Sequence, residues 1–365
     1  MGMSSIQYSL PLLAVLACGR AGDSGESRSI RQVSETGSCP ECSIELVEVA
    51  RLGADGDPVS IRPDVSNRPC MVARLPRQEW AVSGLIGGGE LGVYDTTGAL
   101  VRTIGRPGEG PGEYGTSLHV VVGPEGTVSV VDNTYLRLTT LRDTQPLRTM
   151  RLPLRVQSLA LLESGELLVH GRPSGATDDT GHRFTLVDME SGQLRSFGES
   201  DKDLADLDQW VVGRGSQGGF WAASGWKYEL HKWVNADSLE YTLVRDNVDW
   251  FPSDNAYSDE MYVSEPPASW FTHMWETTDG LLWTFSLIPD EDWSPEQPQR
   301  PNPAWNERVL DTMIEVIETA SGQVLAQLRY ENTLAPVCGN GLMYTAEEAA
   351  AGDVRVVVLE PRLIR

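Results

Sequence analysis

The most specific chemistry that the side chains of this sequence could perform is calcium binding, and the candidates are few. Glu113, Asp132 and Asn133 carry oxygen atoms of the kind that calcium prefers, and they are weak candidates for a metal site. The five histidines lack the spacing of a zinc site. The sequence also has no Gly-x-Ser-x-Gly motif, no P-loop and no dinucleotide-binding fingerprint. Whether the chain is an enzyme is therefore uncertain, and no catalytic residue is predicted.

Tryptophan is concentrated in one part of the chain, since ten of the eleven lie between Trp210 and Trp305. Those in predicted strands are expected to pack in the core. Others lie in irregular segments rich in Pro and Asp, and these are the candidates for a ligand surface: Trp250, Trp270, Trp293 and Trp305. An exposed indole beside carboxylates could stack on a sugar ring or hold a cationic ligand. The alternative is that these rings fold inward and fix the loops.

The charge balance narrows the possible partners. The chain has 52 acidic and 29 basic residues, which gives a net charge of −23. Such a surface repels phosphate backbones, so no nucleic-acid partner is expected. The charge is compatible with calcium or a cationic ligand, and its simplest interpretation is solubility.

The N-terminus is typical of an exported protein. Residues 9–17 form an apolar stretch of signal-peptide length, too short to span a bilayer. The run Val15-Leu16-Ala17-Cys18 resembles a bacterial lipobox, in which Cys18 would be lipidated, although no Lys or Arg precedes it. A plain cleavable signal peptide is the alternative. We therefore expect a signal peptide at 1–17, a flexible tether at 18–38, and a location in the periplasm or at the cell surface.

Four further cysteines fit an oxidising compartment. Cys39 and Cys42 have C-x-x-C spacing, for which a local disulfide is favoured over a redox pair or half of a zinc site. Cys70 and Cys338 lie near the two ends of the predicted domain. They could bridge the place where it closes, although spacing alone does not prove the pairing.

An internal repeat determines the predicted fold. Hairpins with Asp, Asn or Gly turns recur around residues 92–101, 186–194, 230–239 and 316–325, and a second series of Gly turns lies between them. Two hairpin turns in each unit of about 40 to 50 residues are typical of four-stranded propeller blades. Five units fit between Cys70 and Tyr330. The tail from Ala335 to Pro361 supplies only three strands of a sixth unit, and residues 44–52 can supply its missing outer strand. The sequence therefore predicts an all-β, six-bladed β-propeller at 39–365, closed by an N-terminal strand.

One loop carries a resemblance to a known family. Residues 105–114 and the segment from Asp132 to Leu138 resemble the Gly-rich loop and the repeat core of bacterial six-bladed β-propeller lipoproteins, which are relatives of NHL-repeat propellers. The matching loop residues are Gly105, Gly108, Glu109, Gly110, Pro111, Gly112, Glu113 and Tyr114. The resemblance implies the fold and a surface location, and it implies little about activity. From its composition the loop is a rigid crossover between blades, or it presents two carboxylates beside the central channel.

Two functions follow as hypotheses. The first is a lipid-anchored, monomeric binding or scaffolding module that takes a protein, peptide or carbohydrate ligand and contacts the membrane only through its anchor. The alternative is a calcium-dependent hydrolase or lactonase with a metal in the central channel. No cofactor is predicted for the first function, and calcium belongs to the second.

Overall fold

The described part of the chain is built almost wholly from β-strands. The computed structural model describes residues 29–34, 39–53, 70–84, 88–123, 126–142, 144–174, 182–199, 209–246, 248–252, 265–295, 309–339, 341–348 and 354–365. Its single helical element in these ranges is one 3-10 turn at Pro76–Gln78. Within the same ranges no helix has the length and apolar character needed to cross a membrane. The predicted all-β class is confirmed.

Two strands precede the repeat, and the first two blades follow. The N-terminal strands are β1 (Ser29–Gln32) and β2 (Ser43–Leu52). Blade 1 consists of β3 (Val72–Arg74), β4 (Trp80–Val82), β5 (Glu90–Tyr94) and β6 (Leu100–Pro107), with the short β7 (Glu113–Tyr114) beside β6. Blade 2 consists of β8 (Leu118–Val122), β9 (Val128–Asp132), β10 (Arg137–Arg142) and β11 (Gln145–Arg151).

The third and fourth blades repeat this order, from an inner strand outward. Blade 3 consists of β12 (Leu154–Leu161), β13 (Leu167–Pro173), β14 (His182–Val187) and β15 (Leu194–Glu199). Blade 4 consists of β16 (Trp210–Arg214), β17 (Phe220–Ser224), β18 (Glu229–Asn235) and β19 (Ser238–Val244).

The last two blades complete the ring. Blade 5 consists of β20 (Trp270–Glu276), β21 (Leu281–Pro289), β22 (Leu310–Glu318) and β23 (Gln323–Tyr330). Blade 6 contains β24 (Ala335–Pro336), β25 (Met343–Glu348) and β26 (Val354–Ile364), and β2 pairs antiparallel with β26 as its outer strand. The predicted closure by an N-terminal strand is therefore confirmed.

Each blade contacts the next one, so the six sheets form a closed ring. Hydrogen bonds join blades 1 and 2 (Val120 N–H to the Cys70 carbonyl, 2.8 Å) and blades 2 and 3 (Val156 N–H to Asn133 Oδ1, 2.8 Å). Two more join blades 3 and 4 (Val212 N–H to Ser158 Oγ, 3.0 Å) and blades 5 and 6 (Leu334 N–H to Thr312 Oγ1, 2.9 Å). Parallel pairs join the remaining neighbours, Arg214 with Trp275 and Val72 with Val337. Disulfides join Cys70 to Cys338 and Cys39 to Cys42.

The alternation of strands gives the ring two distinct faces. Strands within a blade are antiparallel, and inner strands of neighbouring blades run parallel where they pair. The turns from first to second strand and from third to fourth strand must therefore lie on one face, which we call the turn face. In blade 1 it includes residues 75–79, and in blade 4 it includes the turn between β18 and β19.

Part of the segment predicted to be a flexible tether is a strand. β1 pairs parallel with β19 on the outer edge of blade 4, and Ser34 donates its N–H to the Gly322 carbonyl of blade 5 (2.9 Å). Val33 is buried and gives this segment an apolar contact, which the polar composition of the segment did not indicate. The tether prediction is therefore wrong for residues 29–34. Cys18 lies outside the described residues.

Candidate functional site

The Gly-rich loop from Gly105 to Tyr114 is fixed by its own hydrogen bonds. Glu113 accepts the Gly110 N–H (2.8 Å) and a bond from Arg106 Nε (2.9 Å). These two donors, the backbone one first, lower the pKa of the Glu113 carboxyl. At Gly105, whose φ is +85°, a Cβ would lie 2.4 Å from the Tyr114 ring, so only glycine fits there. These contacts support the structural interpretation of the loop, as a rigid crossover from blade 1 to blade 2.

Asp132 connects this loop to blade 2. Its carboxylate is fully buried and accepts the N–H groups of Gly115 (3.0 Å) and Thr134 (2.9 Å). Arg137 Nε donates to the same carboxylate (3.3 Å), and its guanidinium also donates to the Glu109 carbonyl (2.8 Å). The Asp and Arg of the predicted repeat core therefore hold the preceding loop in place.

Asn133 bridges blades 2 and 3. Its Oδ1 accepts the Val156 N–H, its Nδ2 donates to the Val156 carbonyl (2.7 Å), and Nδ2 also lies 2.9 Å from His119 Nε2. The oxygens of Glu113, Asp132 and Asn133 thus have separate backbone partners, and these contacts do not gather them around one ion. In the described ranges no group of three or more His, Cys, Asp or Glu residues could hold a metal ion. A calcium site made by these three residues is not supported, and calcium elsewhere stays a prediction.

Most of the described tryptophans pack inward. Trp270 is only 7% exposed and lies with Trp226 (ring centroids 5.9 Å apart) against an apolar cluster that includes half-buried Trp293. Half-buried Trp250 contacts the ring of Tyr228, with centroids 6.1 Å apart. The interpretation of Trp270 as an exposed ligand contact is therefore wrong, because its ring is buried at the start of β20. Trp305 lies outside the described residues.

Two buried ion pairs occupy the interface between blades 4 and 5. In the first, Glu276 accepts bonds from Lys232, from the Ser216 N–H (2.8 Å) and from Trp221 Nε1 (3.0 Å). Burial alone would raise the pKa of Glu276, but these donors outweigh it and the pKa lies below its usual value.

In the second pair, fully buried Glu315 accepts bonds from Tyr228, Arg245 and Gln327. Burial raises the pKa of Glu315, and it raises the pKa of Tyr228 well above 10, with the Glu315 charge adding to that shift. Every charged group in both pairs has a partner, so this interface has a structural role.

The interface between blades 1 and 2 differs, because it opens at the turn face into a cleft of about 670 Å³, called here the basic cleft. Among the described residues, its mouth carries Arg77, Arg102 and Arg142 with one acid, Glu79. Apolar side chains form its wall: Leu75, Ile104, Val128, Leu141 and Leu147. Leu147 is 56% exposed, whereas the other four are buried. A volume of this size suits a small organic ligand.

The charges of the basic cleft are unevenly paired. Arg102 holds Glu79 through two bonds of 2.7 Å, which lower the pKa of the Glu79 carboxyl. Within the described ranges Arg77 and Arg142 form no hydrogen bond or ion pair, but the charge of Arg77 also helps to lower the pKa of the Glu79 carboxyl. Glu125 and Asp143, which adjoin lining residues in the sequence, lie outside those ranges. The described lining thus places three guanidinium groups beside one carboxylate, in a chain whose net charge is −23.

The backbone at the mouth of the cleft is strained. Arg77 and Gln78 have φ values of +67° and +62°, so two consecutive residues other than glycine adopt the left-handed region. Such conformations cost about 1 kcal/mol or more and are concentrated at functional sites. The strain positions the Arg77 turn beside Arg142 and Leu147.

A second cleft, of about 460 Å³, lies between blades 5 and 6. Its acids already have partners, since Asp279 accepts from Thr277 Oγ1 (2.5 Å) and Glu360 accepts from Arg362 Nε (2.9 Å). The basic cleft is thus the larger of the two and the one whose described lining holds three arginines.

Comparison with known proteins addresses the fold. Residues 88–205, which span β5 to β15, match the family model DUF5128, described as a 6-bladed beta-propeller. The chain is a six-bladed β-propeller. The comparison with curated proteins found no significant match.

Two solved propeller-like structures resemble this one. A Bacteroides fragilis protein that is inferred to be exported has 11% identity and a TM-score of 0.57, over 92% of this chain and 100% of that one. A member of the DUF4221 family from Bacteroides vulgatus has 11% identity and a TM-score of 0.55, over 88% of this chain and 99% of that one. At this identity the likeness supports the propeller fold and carries nothing about activity.

Sequence reasoning did not find the basic cleft. Its residues come from four separated segments, around positions 77, 102, 127 and 142, and none of these segments contains a motif.

Proposed function

We propose that this propeller is an exported, lipid-anchored binding module that holds an anionic ligand in its basic cleft. Export is supported by the two disulfides, which suit an oxidising compartment, and by the inferred export of the similar B. fragilis protein. The lipid attachment site of this proposal is Cys18.

The observation that carries the proposal is the set of charged groups described at the cleft mouth, where Arg77, Arg102 and Arg142 accompany a single carboxylate, Glu79. An acidic protein gains solubility from its acids, so three guanidiniums gathered at one cleft mouth need another explanation. Guanidinium groups recognise carboxylate and phosphate oxygens, often through two hydrogen bonds at once. The apolar wall behind them would accept a short hydrocarbon part of the same ligand.

Isothermal titration calorimetry with hexyl phosphate tests this proposal, and hexanol is the matched neutral probe. The protein is the full chain with Cys18→Ala, which removes the lipidation site and leaves the propeller unchanged. We expect hexyl phosphate to bind with 1:1 stoichiometry and hexanol to bind at least tenfold more weakly. A charged hydrogen bond contributes about 1.5–3 kcal/mol, so the double variant Arg77→Gln/Arg142→Gln should bind hexyl phosphate more than tenfold more weakly.

The control is Arg151→Gln, which removes the same charge from the far end of β11, opposite the turn face. It should bind hexyl phosphate as the parent does. Equal losses in the control and the double variant would mean that the effect is the net charge of the protein, and would contradict a site in the cleft. Equal affinity for hexyl phosphate and hexanol would contradict recognition of an anion.

A further inference from the structure

The direction of β1 determines which face of the propeller carries its N-terminal end. β1 is parallel to β19, with Ser29 opposite Tyr241 and Gln32 opposite Val244. β19 begins directly after the β18–β19 turn and runs away from it. The N-terminal end of β1, which is the end nearer to Cys18 in the sequence, therefore lies at the turn face.

Contacts along β1 hold the strand in this orientation. The Arg31 guanidinium lies 3.8 Å from the centroid of the Tyr241 ring. Val33 is 6% exposed, in a cluster that contains residues of both blades 4 and 5, and its N–H donates to the Val244 carbonyl (2.7 Å). The strand is thus bonded by its backbone, by a ring contact and by a buried side chain.

The length of chain beyond β1 limits the distance to the anchor. Eleven residue steps separate Cys18 from Ser29, and even a fully extended chain of that length spans at most about 40 Å. A lipid on Cys18 would therefore hold the N-terminal end of β1, at the turn face, within about 40 Å of the membrane surface.

The basic cleft opens on the same face. Its mouth consists of the first turn of blade 1 (Arg77, Glu79), the first turn of blade 2 (Gly126, Thr127) and the end of β10 at Arg142. All three belong to the turn face by the strand order of the blades. The cleft and the N-terminal end of β1 thus share one side of the ring.

We propose that the ligand of the basic cleft is the phosphate headgroup of an anionic phospholipid in the membrane that carries the anchor. This inference rests on the proposed function, which supplies both the anchor and the anion site. Arg77 and Arg142 would contact the phosphate, and exposed Leu147 with the apolar wall would contact the glycerol and upper acyl carbons. A net charge of −23 repels an anionic surface at long range, so preference for such a surface requires a local site.

Vesicle co-sedimentation tests the source of the ligand. The full chain with Cys18→Ala is mixed with vesicles of phosphatidylcholine alone or with 30 mol% phosphatidylglycerol, a composition of about one anionic lipid in three. We expect the bound fraction on phosphatidylglycerol vesicles to exceed that on phosphatidylcholine at least fivefold. The ratio should fall to 1 or below in Arg77→Gln/Arg142→Gln, and stay as in the parent for Arg151→Gln.

Calorimetry with glycerol 3-phosphate and hexyl phosphate separates the possible failures. If hexyl phosphate binds but the vesicle ratio is 1 or below, the anion site stands and the phospholipid inference is overturned in favour of a soluble ligand. Glycerol 3-phosphate that binds as tightly as hexyl phosphate would likewise overturn a role for the lipid chains. If neither probe binds, the proposed function itself has failed.

Discussion

The interface between blades 4 and 5 differs from the interface between blades 1 and 2 in how its charged side chains are paired. Between blades 4 and 5, Glu276 with Lys232 and Glu315 with Arg245 are withdrawn from water and each is paired. Between blades 1 and 2, two arginines at an open mouth form no hydrogen bond or ion pair in the described part of the chain. A buried charge without a partner strongly destabilises the fold, whereas an exposed charge is solvated by water and can bind a ligand. The first interface therefore stabilises the ring, and the second is suited to binding.

The backbones explain why only one of the two interfaces is closed. β16 and β20 approach so closely that they form a ladder pair, and a Cβ at Gly213 would lie 2.1 Å from the Met274 carbonyl oxygen. Glycine at this position permits the contact. Large aromatic rings then fill the rest of the interface, including Trp221, Phe271 and Tyr228. The interface between blades 1 and 2 lacks such rings at the turn face, and its smaller side chains leave the cleft.

Arg245→Met is expected to have the largest effect on stability. It leaves the fully buried Glu315 without its cationic partner, and removal of one member of a buried pair costs about 3–5 kcal/mol. The urea dependence of tryptophan fluorescence gives the free energy of unfolding. Arg362→Met is the control, because it breaks an exposed pair with Glu360 and should cost about 1 kcal/mol or less. Equal losses in the two variants would show that the interface between blades 4 and 5 does not depend on its buried charge.

Glu276→Gln should produce a smaller effect that depends on pH. The folded-state pKa of Glu276 is lowered, so the stability it contributes is present above its unfolded pKa and is lost as the pH falls through the folded pKa. We expect the variant to be about 2 kcal/mol less stable than the parent at neutral pH, since a buried charged hydrogen-bond network is weakened. The difference should shrink as the pH falls below the usual glutamate pKa.

Unfolding midpoints in urea, measured across the acid range for parent and variant, check this difference. The other carboxylates titrate equally in both proteins, so the difference between their stabilities at each pH reports the contribution of Glu276 alone. Glu360→Gln, at an exposed carboxylate, should stay within about 0.5 kcal/mol of the parent at every pH. A difference for Glu276→Gln that is constant with pH would mean that its charge is not what the interface uses.

The fold was predictable because it repeats. Turn residues at regular spacing predicted the blades, and the missing strand of the last unit predicted the pairing of residues 44–52 with β26. β1 was not predictable in the same way, since its polar composition resembles a tether and a single valine, Val33, provides its buried contact. Edge pairing through backbone atoms leaves little mark on composition.

The candidate site was harder to predict than the fold. The Gly-rich loop was recognised, but its acids serve the backbone of the loop itself. The basic cleft depends on which turns of two blades become neighbours, and on positive φ values at Arg77 and Gln78 that their residue types do not indicate. Tertiary structure alone brings these groups together.

The smallest expected effect on stability is that of Arg77→Gly, and its sign distinguishes the basic cleft from the interface between blades 4 and 5. Arg77→Gly relieves a left-handed backbone conformation that costs arginine about 1 kcal/mol, and the gain is partly offset by the greater entropy of glycine in the unfolded chain. We therefore expect the free energy of unfolding to rise by up to about 1 kcal/mol, while hexyl phosphate binds more weakly. Arg142→Gln, with no strain to relieve, should leave stability within about 0.5 kcal/mol and weaken binding similarly. Loss of stability in Arg77→Gly would contradict this view, because it would mean that Arg77 supports the fold as Arg245 does.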